Sequence, residues 1–384
     1  MNKSVYILAV ENSGDHLGAQ LAAELKLLKP NLEFSGIGGA ALAAEGIVSD
    51  IDIDGLSILG FTEGLRYYPM ILKRVKQSVQ AIMARGPQAV VLIDSWGFMI
   101  RVAKGLKAAG YQGEIIKYVA PQVWAMREGR SKTLARYVDH LMSIHSFDAP
   151  YFTRHGLETH YVGNPIFDTG YRSGNGAALL AELGIEKHSK VLSVFLGSRL
   201  SELDTLGPIF GHAIAGLKFR YPDLRFISPV SESLAQYIDG AVERNAGLSE
   251  IVFMPESRKL DIFAASDVAL ACSGTVTTQL ACAGVPTLVA YRLNALTYFA
   301  AKRLYKPDYI SIVNIAAKQA LMPEFVQEAV TANSLIDMAA HYLDNPTERE
   351  AASARLLSQT SLMQGKGGSS SKRAALNVLD IIRA

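Results

Sequence analysis

Short, unbroken apolar runs alternate along this chain with longer stretches in which apolar residues recur every three or four positions. The runs fall at residues 5–10, 32–37, 89–93, 115–119 and 140–144, then at 191–196, 225–230, 251–254, 268–271 and 287–290. They read as β-strands, and the periodic stretches between them as helices. Ala89-Val90-Val91-Leu92-Ile93 has no polar alternation, as expected when helices cover both faces of a parallel sheet. Strand–helix alternation of this kind predicts an α/β architecture of doubly wound units. A strandless stretch at 164–190 separates the two sets, so the pattern predicts two Rossmann-like domains facing an interdomain cleft. Gly, Asn, Pro and Ser concentrate at 163–176, which puts a first domain over 1–165 and a second over 166–368. Beyond Pro323 the pattern is helical; a Gly-rich break at 365–371 leads into a last helix, 369–384, able to pack back on the first domain.

Two segments raise the question of a membrane. Residues 268–291 carry no charge, but Ser273-Gly274 and Gly284-Val285-Pro286 interrupt them, so they read as buried strand, helix and strand. In 65–83, Leu65, Tyr68, Leu72, Val75, Val79 and Ile82 make a core-facing helical stripe. Tyr67, Met70 and Ile71 add apolar surface off that stripe, beside Lys73, Arg74 and Lys76. Such a helix either rests on an anionic membrane or is an ordinary amphipathic helix with a solvated face.

Composition narrows the classes. At 384 residues, 49% hydrophobic and 19% charged, the chain suits a soluble enzyme with two cores of its own. A net charge of +2 gives no field that would draw nucleic acid. Cys272 and Cys282 lie ten apart in an apolar stretch and read as buried thiols in a reducing, cytoplasmic compartment. The apolar run at 5–10 is too short for a signal peptide. His140, His145, His155 and His160 are spread over strands and a helix with no metal-ligand spacing, so neither a metal nor a cofactor is expected.

Four motifs follow strand ends, where open α/β sheets bind ligands. Glu11-Asn12-Ser13-Gly14-Asp15 either caps a helix or offers its amides to a hydroxyl or anion. Asp94, in Ile93-Asp94-Ser95-Trp96, either caps the next helix or accepts a proton from an attacking hydroxyl. Gly197-Ser198-Arg199 puts a guanidinium at a helix start, an unfavourable place unless an anion binds there. In Ser273-Gly274-Thr275 the amides suit phosphate oxygens, with Gln279 one turn on for ribose hydroxyls.

In this order the motifs resemble the lipid-A-disaccharide synthase family, inverting glycosyltransferases of GT-B fold, over nearly the whole chain. Glu11, Ser13, Gly14 and Asp15 match its opening block, and Ile93-Asp94-Ser95 a second. The tracts Ile58-Leu59-Gly60-Phe61-Thr62-Glu63-Gly64-Leu65 and Tyr118-Val119-Ala120-Pro121-Gln122-Val123-Trp124-Ala125 are distinctive of it. In the second half Gly197-Ser198-Arg199, Ser273-Gly274-Thr275, Tyr291-Arg292, Asn314, Pro323-Glu324-Phe325 and Gln327 match as well. Val10, Trp96-Gly97, Leu196 and Gln279 depart from the family pattern.

The resemblance implies UDP-2,3-diacylglucosamine as donor, 2,3-diacylglucosamine 1-phosphate (lipid X) as acceptor, and Asp94 as general base. It places Ser198, Arg199, Ser273, Gly274, Thr275, Gln279 and Asn314 around the UDP. Glu11, Ser13, Asp15, Gln122 and Trp124 would lie near the sugars. Leu59, Phe61, Met70, Ile71, Lys73, Arg74 and Lys76 would form an acyl and membrane region, on the cytoplasmic face of the bacterial inner membrane. Oligomeric state stays open. A UDP-sugar 2-epimerase of similar shape, or a weakened homologue that binds glycolipid, are the alternatives.

Overall fold

The computed structural model describes residues 4–56, 64–186, 188–293, 298 and 305–383, with only the backbone at 64–67. Leu59 and Phe61 lie outside the described residues. The chain divides into two compact units, Met1–Asp168 with Gln364–Ala384, and Thr169–Met363.

The first unit runs β1 (Ser4–Leu8), α1 (Asn12–Leu28), β2 (Glu33–Ile37), α2 (Ala40–Ala44), α3 (Gly64–Arg85), β3 (Ala89–Ile93) and α4 (Trp96–Ala108). Then come β4 (Glu114–Tyr118), α5 (Gly129–Tyr137), β5 (His140–Ser143), α6 (Ala149–Thr153) and β6 (Glu158–Tyr161). Its strands form one parallel sheet in the order β2-β1-β3-β4-β5-β6. Every residue of β3 is buried, and alternate side chains serve opposite cores. Val90 and Leu92 join Met99, Val102 and Leu106 of α4; Val91 and Ile93 join Leu21 and Leu25 of α1. Each such burial contributes about 1.5–3 kcal/mol, which is why the central run tolerates no polar residue. The helix Ser370–Ile381 completes the second core through Ala374, Val378 and Leu379. Arg373 Nε donates to the Val162 carbonyl at 2.8 Å and fixes that helix in place.

The second unit runs α7 (Gly176–Glu182), β7 (Val191–Phe195), α8 (Leu200–Arg220), β8 (Arg225–Val230), α9 (Glu232–Ala235), α10 (Ile238–Arg244) and β9 (Ile251–Pro255). It continues with α11 (Lys259–Ala265), β10 (Val268–Cys272), α12 (Thr275–Ala283), β11 (Thr287–Tyr291) and β12 (Glu324–Val326), and helices follow. Its parallel sheet has the order β12-β11-β10-β7-β8-β9. The charge-free stretch thus folds as β10, α12 and β11. Among the described residues no helix is long and apolar enough to cross a membrane.

Each sheet reverses its winding once, between β1 and β3 in the first unit and between β7 and β10 in the second. Diverging connections open a crevice there beyond the carboxyl ends of the strands. All four motifs follow one of these four strands.

Three expectations are corrected. β12 is an edge strand within the segment expected to be helical, paired with β11 from Val289↔Glu324 to Tyr291↔Val326. β6 was likewise not expected; its half-exposed Glu-Thr-His-Tyr carries no apolar run, because an edge strand has only one neighbour to pack against. The α3 stripe holds at Val75, Val79 and Ile82 and shifts only before them. Met70, Ile71, Val75 and Val79 pack on the core, whereas Tyr68 and Leu72 are each 44% exposed. Arg74 is tied into an ion pair with Asp52, which leaves Lys73 and Lys76 on the solvent side.

Candidate active site

In the first unit the crevice is built on strained backbone. Asp94 (φ 52°) and Ser95 (φ 34°) turn sharply from β3 into α4, and just past the neighbouring strand β4 Val119 has φ 72°. Asp tolerates the left-handed region, but a β-branched valine does not, and each such residue costs roughly 1–3 kcal/mol. Lys117 lies beneath both turns, 2% exposed, and donates to the carbonyls of Asp94 and Tyr118 at 2.8 Å each. Burial pushes its ammonium down to about 7, against the opposing pull of the Asp94 and Glu11 carboxylates. Ser95, not Asp94, occupies the N-cap position of α4, so the Asp94 carboxylate is not spent on capping that helix.

Two cavities flank this turn. One of about 260 Å³ is lined by Ser13, Gly14, His16, Asp94, Val119 and Asn164 among others. The other, about 340 Å³, is walled by Val10, Leu56, Tyr68, Ile71, Trp96 and Phe98, with Glu11 and Arg101 as its charged groups. Trp96 is held by Arg130, whose guanidinium sits 5.3 Å from the ring centre.

Two residues expected near the sugars have other tasks. Asp15 is 3% exposed and its carboxylate accepts from the amides of Gly39, Ala41 and Leu42 at 2.7, 2.8 and 3.3 Å. It caps α2 from a distance, because the N-cap residue of that helix is Gly39, which has no side chain to cap with. Trp124 is 6% exposed and packs edge-on against Phe147, with ring centres 5.3 Å apart. It is core. Gln122 is exposed, and Glu11 precedes α1 without capping it.

In the second unit one cavity of about 360 Å³ gathers Gly197, Ser198, Arg199, Ser273, Gly274, Thr275 and Gln279. The amides of Ser198 and Arg199 are already covered by the Glu202 carboxylate at 2.9 and 3.2 Å. Gly197 permits this: its φ is 94°, and an added Cβ would lie 2.3 Å from Glu202 Oε2. The Arg199 side chain is 77% exposed and holds Glu202 at 3.3 Å, an exposed pair worth under about 1 kcal/mol. A phosphate can therefore take over its guanidinium at little cost. The start of α12 is more open: the amides of Thr275 and Val276 precede the first bond of the helix, from Thr277 N to the Gly274 carbonyl at 3.2 Å. A Cβ added at Gly274 would meet nothing within 4 Å, so no packing demand explains that glycine, and its lack of a side chain leaves the helix start clear.

Gln279 lines the same cavity and reaches the Tyr171 hydroxyl at 3.4 Å. Asn314 does not belong to an open site. It is fully buried, its amide donating to Met322 O (2.7 Å) and Glu324 Oε1 (2.8 Å) and accepting from Met322 N (3.0 Å). It staples the segment before β12.

Sequence reasoning missed Lys117, His16, Asn164 and Lys259. The last is a cation of the α12 cavity, held by Glu256 at 2.8 Å. A basic pair after a strand end, Arg258-Lys259, was the available signal; a lone lysine in the apolar β4 was the signal for Lys117. Two of the histidines spread along the sequence come together in the fold. His140 and His160 meet around Glu158 across β5 and β6, a grouping the linear spacing conceals.

Comparison with known proteins gives a consistent result. A model of a family described as lipid-A-disaccharide synthetase matches residues 5–379. A lipid-A-disaccharide synthase of Paramagnetospirillum magneticum is 40% identical over 99% of this chain and 97% of its own. One of Rhodospirillum centenum is 36% identical over 98% and 94%. Among solved structures, a putative UDP-N-acetylglucosamine 2-epimerase from Listeria monocytogenes has a TM-score of 0.65 at 14% identity, over 100% of this chain and 96% of the other. A glycosyltransferase from Rickettsia africae has 0.57 at 12%, over 100% and 98%. At such identities the structural likeness is one of fold alone.

Proposed function

The chain belongs to the lipid-A-disaccharide synthase family and is a glycosyltransferase, and from that premise we propose that it joins two acylated glucosamines. The donor is UDP-2,3-diacylglucosamine and the acceptor 2,3-diacylglucosamine 1-phosphate. Asp94 removes the proton of the acceptor's 6-hydroxyl as that oxygen attacks the anomeric carbon. The bond from that carbon to the diphosphate breaks, and UDP leaves with the electron pair. Attack from the face opposite the leaving group inverts the centre and gives a β-1,6 link.

The observation that carries this reading is the placement of both chemical motifs at winding reversals: the Asp94 turn beside β1 and β3, and the Arg199 and Ser273–Thr275 loops after β7 and β10. An uncapped carboxylate on strained backbone suits a general base. The guanidinium of Arg199, the Lys259 ammonium and the amides opening α12 suit the charge that grows on departing UDP. The apolar cavity at Leu56, Tyr68, Ile71 and Phe98 suits part of an acyl chain.

One assay tests the reading. Incubated with both acylated sugars, the protein is expected to release UDP and form a disaccharide 1-phosphate in equal amounts. Epimerised UDP-sugar without acceptor supports an epimerase, and lipid binding with no turnover supports a glycolipid-binding homologue; either result overturns the proposal.

The exposed face of α3 supports peripheral attachment to anionic membrane, now through Tyr68, Leu72, Lys73 and Lys76 rather than through Arg74, Met70 and Ile71. Each lysine near an anionic surface is worth about 1 kcal/mol. Lys73→Glu with Lys76→Glu is therefore expected to lower partitioning onto phosphatidylglycerol vesicles at least tenfold in a flotation assay. Equal flotation of variant and parent assigns α3 to ordinary solvation.

A further inference from the structure

The first unit carries a second cluster of chemistry at the opposite end of its sheet. His140 opens β5 and Glu158 opens β6, paired in register, with His160 two residues on along β6. In parallel strands these three project from one face, at the amino-terminal edge, away from the loops that follow the carboxyl ends. His140 Nδ1 lies 3.2 Å from one oxygen of Glu158, and His160 Nε2 lies 3.0 Å from the other. Both nitrogens are shielded from solvent, yet neither makes a hydrogen bond. They sit at contact distance from the carboxylate but are not aligned on it, as expected of ligand atoms converging on a common point. Tetrahedral ligands about 2.0–2.1 Å from an ion are about 3.3 Å apart, and the two nitrogens and a carboxylate oxygen here all lie within 4.8 Å of one another.

The surroundings add an independent feature. The other ring nitrogen of His140, Nε2, lies 3.3 Å from Glu114 Oε2 at the start of β4. A carboxylate behind a ligating imidazole holds the tautomer whose free lone pair faces the metal, and it raises that ligand's basicity. Glu158 is 60% exposed, so water has access to complete the coordination.

We propose that His140 Nδ1, His160 Nε2 and the Glu158 carboxylate form a site for a divalent transition-metal ion of the zinc type, with Glu114 orienting His140. Two imidazoles and one carboxylate suit that class better than calcium or magnesium, which prefer all-oxygen shells. Lying at the far edge of the sheet, the ion does not enter the transfer reaction. It pins the short edge strand β6 to β5, and it is independent of the activity proposed above.

The test uses the intact chain, freed of metal with chelator and titrated with zinc in a calorimeter at pH 7.5. One equivalent is expected to bind with micromolar or tighter affinity and to raise the thermal midpoint, leaving UDP affinity unchanged. His160→Gln and Glu158→Gln, checked for native circular dichroism, are each expected to weaken binding at least tenfold. Glu114→Gln is expected to weaken it less, and cobalt substitution to give a visible band that His160→Gln removes. The site is disproved if zinc fails to bind stoichiometrically. It is equally disproved if His160→Gln and His140→Gln bind zinc as the parent does, since the ion then lies elsewhere and the cluster is an ordinary ion-pair network.

Discussion

Replacing Asp94 with Asn is expected to cut turnover at least a hundredfold while the protein keeps its fold and its affinity for UDP. Asn has the same shape as Asp and adopts the left-handed backbone as readily, so the turn at φ 52° is preserved. The Lys117 bond to the residue 94 carbonyl is a main-chain contact and also survives. What is lost is a group able to take a proton from the attacking hydroxyl, a contribution of about 10²–10⁴ in rate. UDP affinity should not change, because the residues proposed to hold the diphosphate belong to the other unit. Initial rates with both acylated sugars, beside UDP calorimetry and thermal unfolding, make the comparison. A rate within a few-fold of the parent's removes Asp94 from the role of base.

Lys117→Met is the second large effect, and it separates stability from activity. The proposed role of Lys117 is positional: its amine holds the Asp94 and Tyr118 carbonyls and so fixes the turn that aims the carboxylate. Methionine fills a similar volume but donates nothing. With the turn released, turnover is expected to fall roughly tenfold to a hundredfold, since small misplacements of a reacting group are costly. KM is expected to change little.

The pH dependence of stability then reports the amine itself. Below about pH 7 the folded and unfolded chains both hold its proton, and folding bears the full cost of burying the charge. Between there and the ordinary lysine range near pH 10.5 only the unfolded chain is protonated, so this group's contribution to stability rises with pH. The gain is on the order of 5 kcal/mol. Neutral amine still has two N–H groups, enough for both carbonyls. Urea unfolding of parent and variant should therefore diverge in the parent's favour from pH 7 to pH 10. Parallel curves would show that Lys117 exchanges no proton on unfolding, and an unchanged kcat would show that the turn needs no clamp.

The local elements were legible in the sequence because the signal for them is local. Continuous apolar runs became the buried strands β1, β3, β7 and β10, and the glycine-containing polar tracts after them became loops at their carboxyl ends. The edge strands β6 and β12 were not legible, because an edge strand packs on one side only and needs no apolar run. The α3 stripe was legible at Val75, Val79 and Ile82 but not before them, where Met70 and Ile71 rather than Tyr68 and Leu72 pack on the core, a choice only tertiary contact makes.

Hydrophobic period and turn chemistry along the chain determined an α/β fold with chemical groups at strand ends. They did so because burying apolar side chains and completing main-chain hydrogen bonds are decided within a few residues. Tertiary structure alone decided which strands are neighbours, and so where winding reverses and opens a crevice. It also decided that Asp15 and Asn314 serve as internal staples, that Lys117 lies beneath Asp94, and that His140 and His160 meet around Glu158. Each of these depends on residues distant in sequence coming within about 3 Å, and only the packing of whole elements sets such distances.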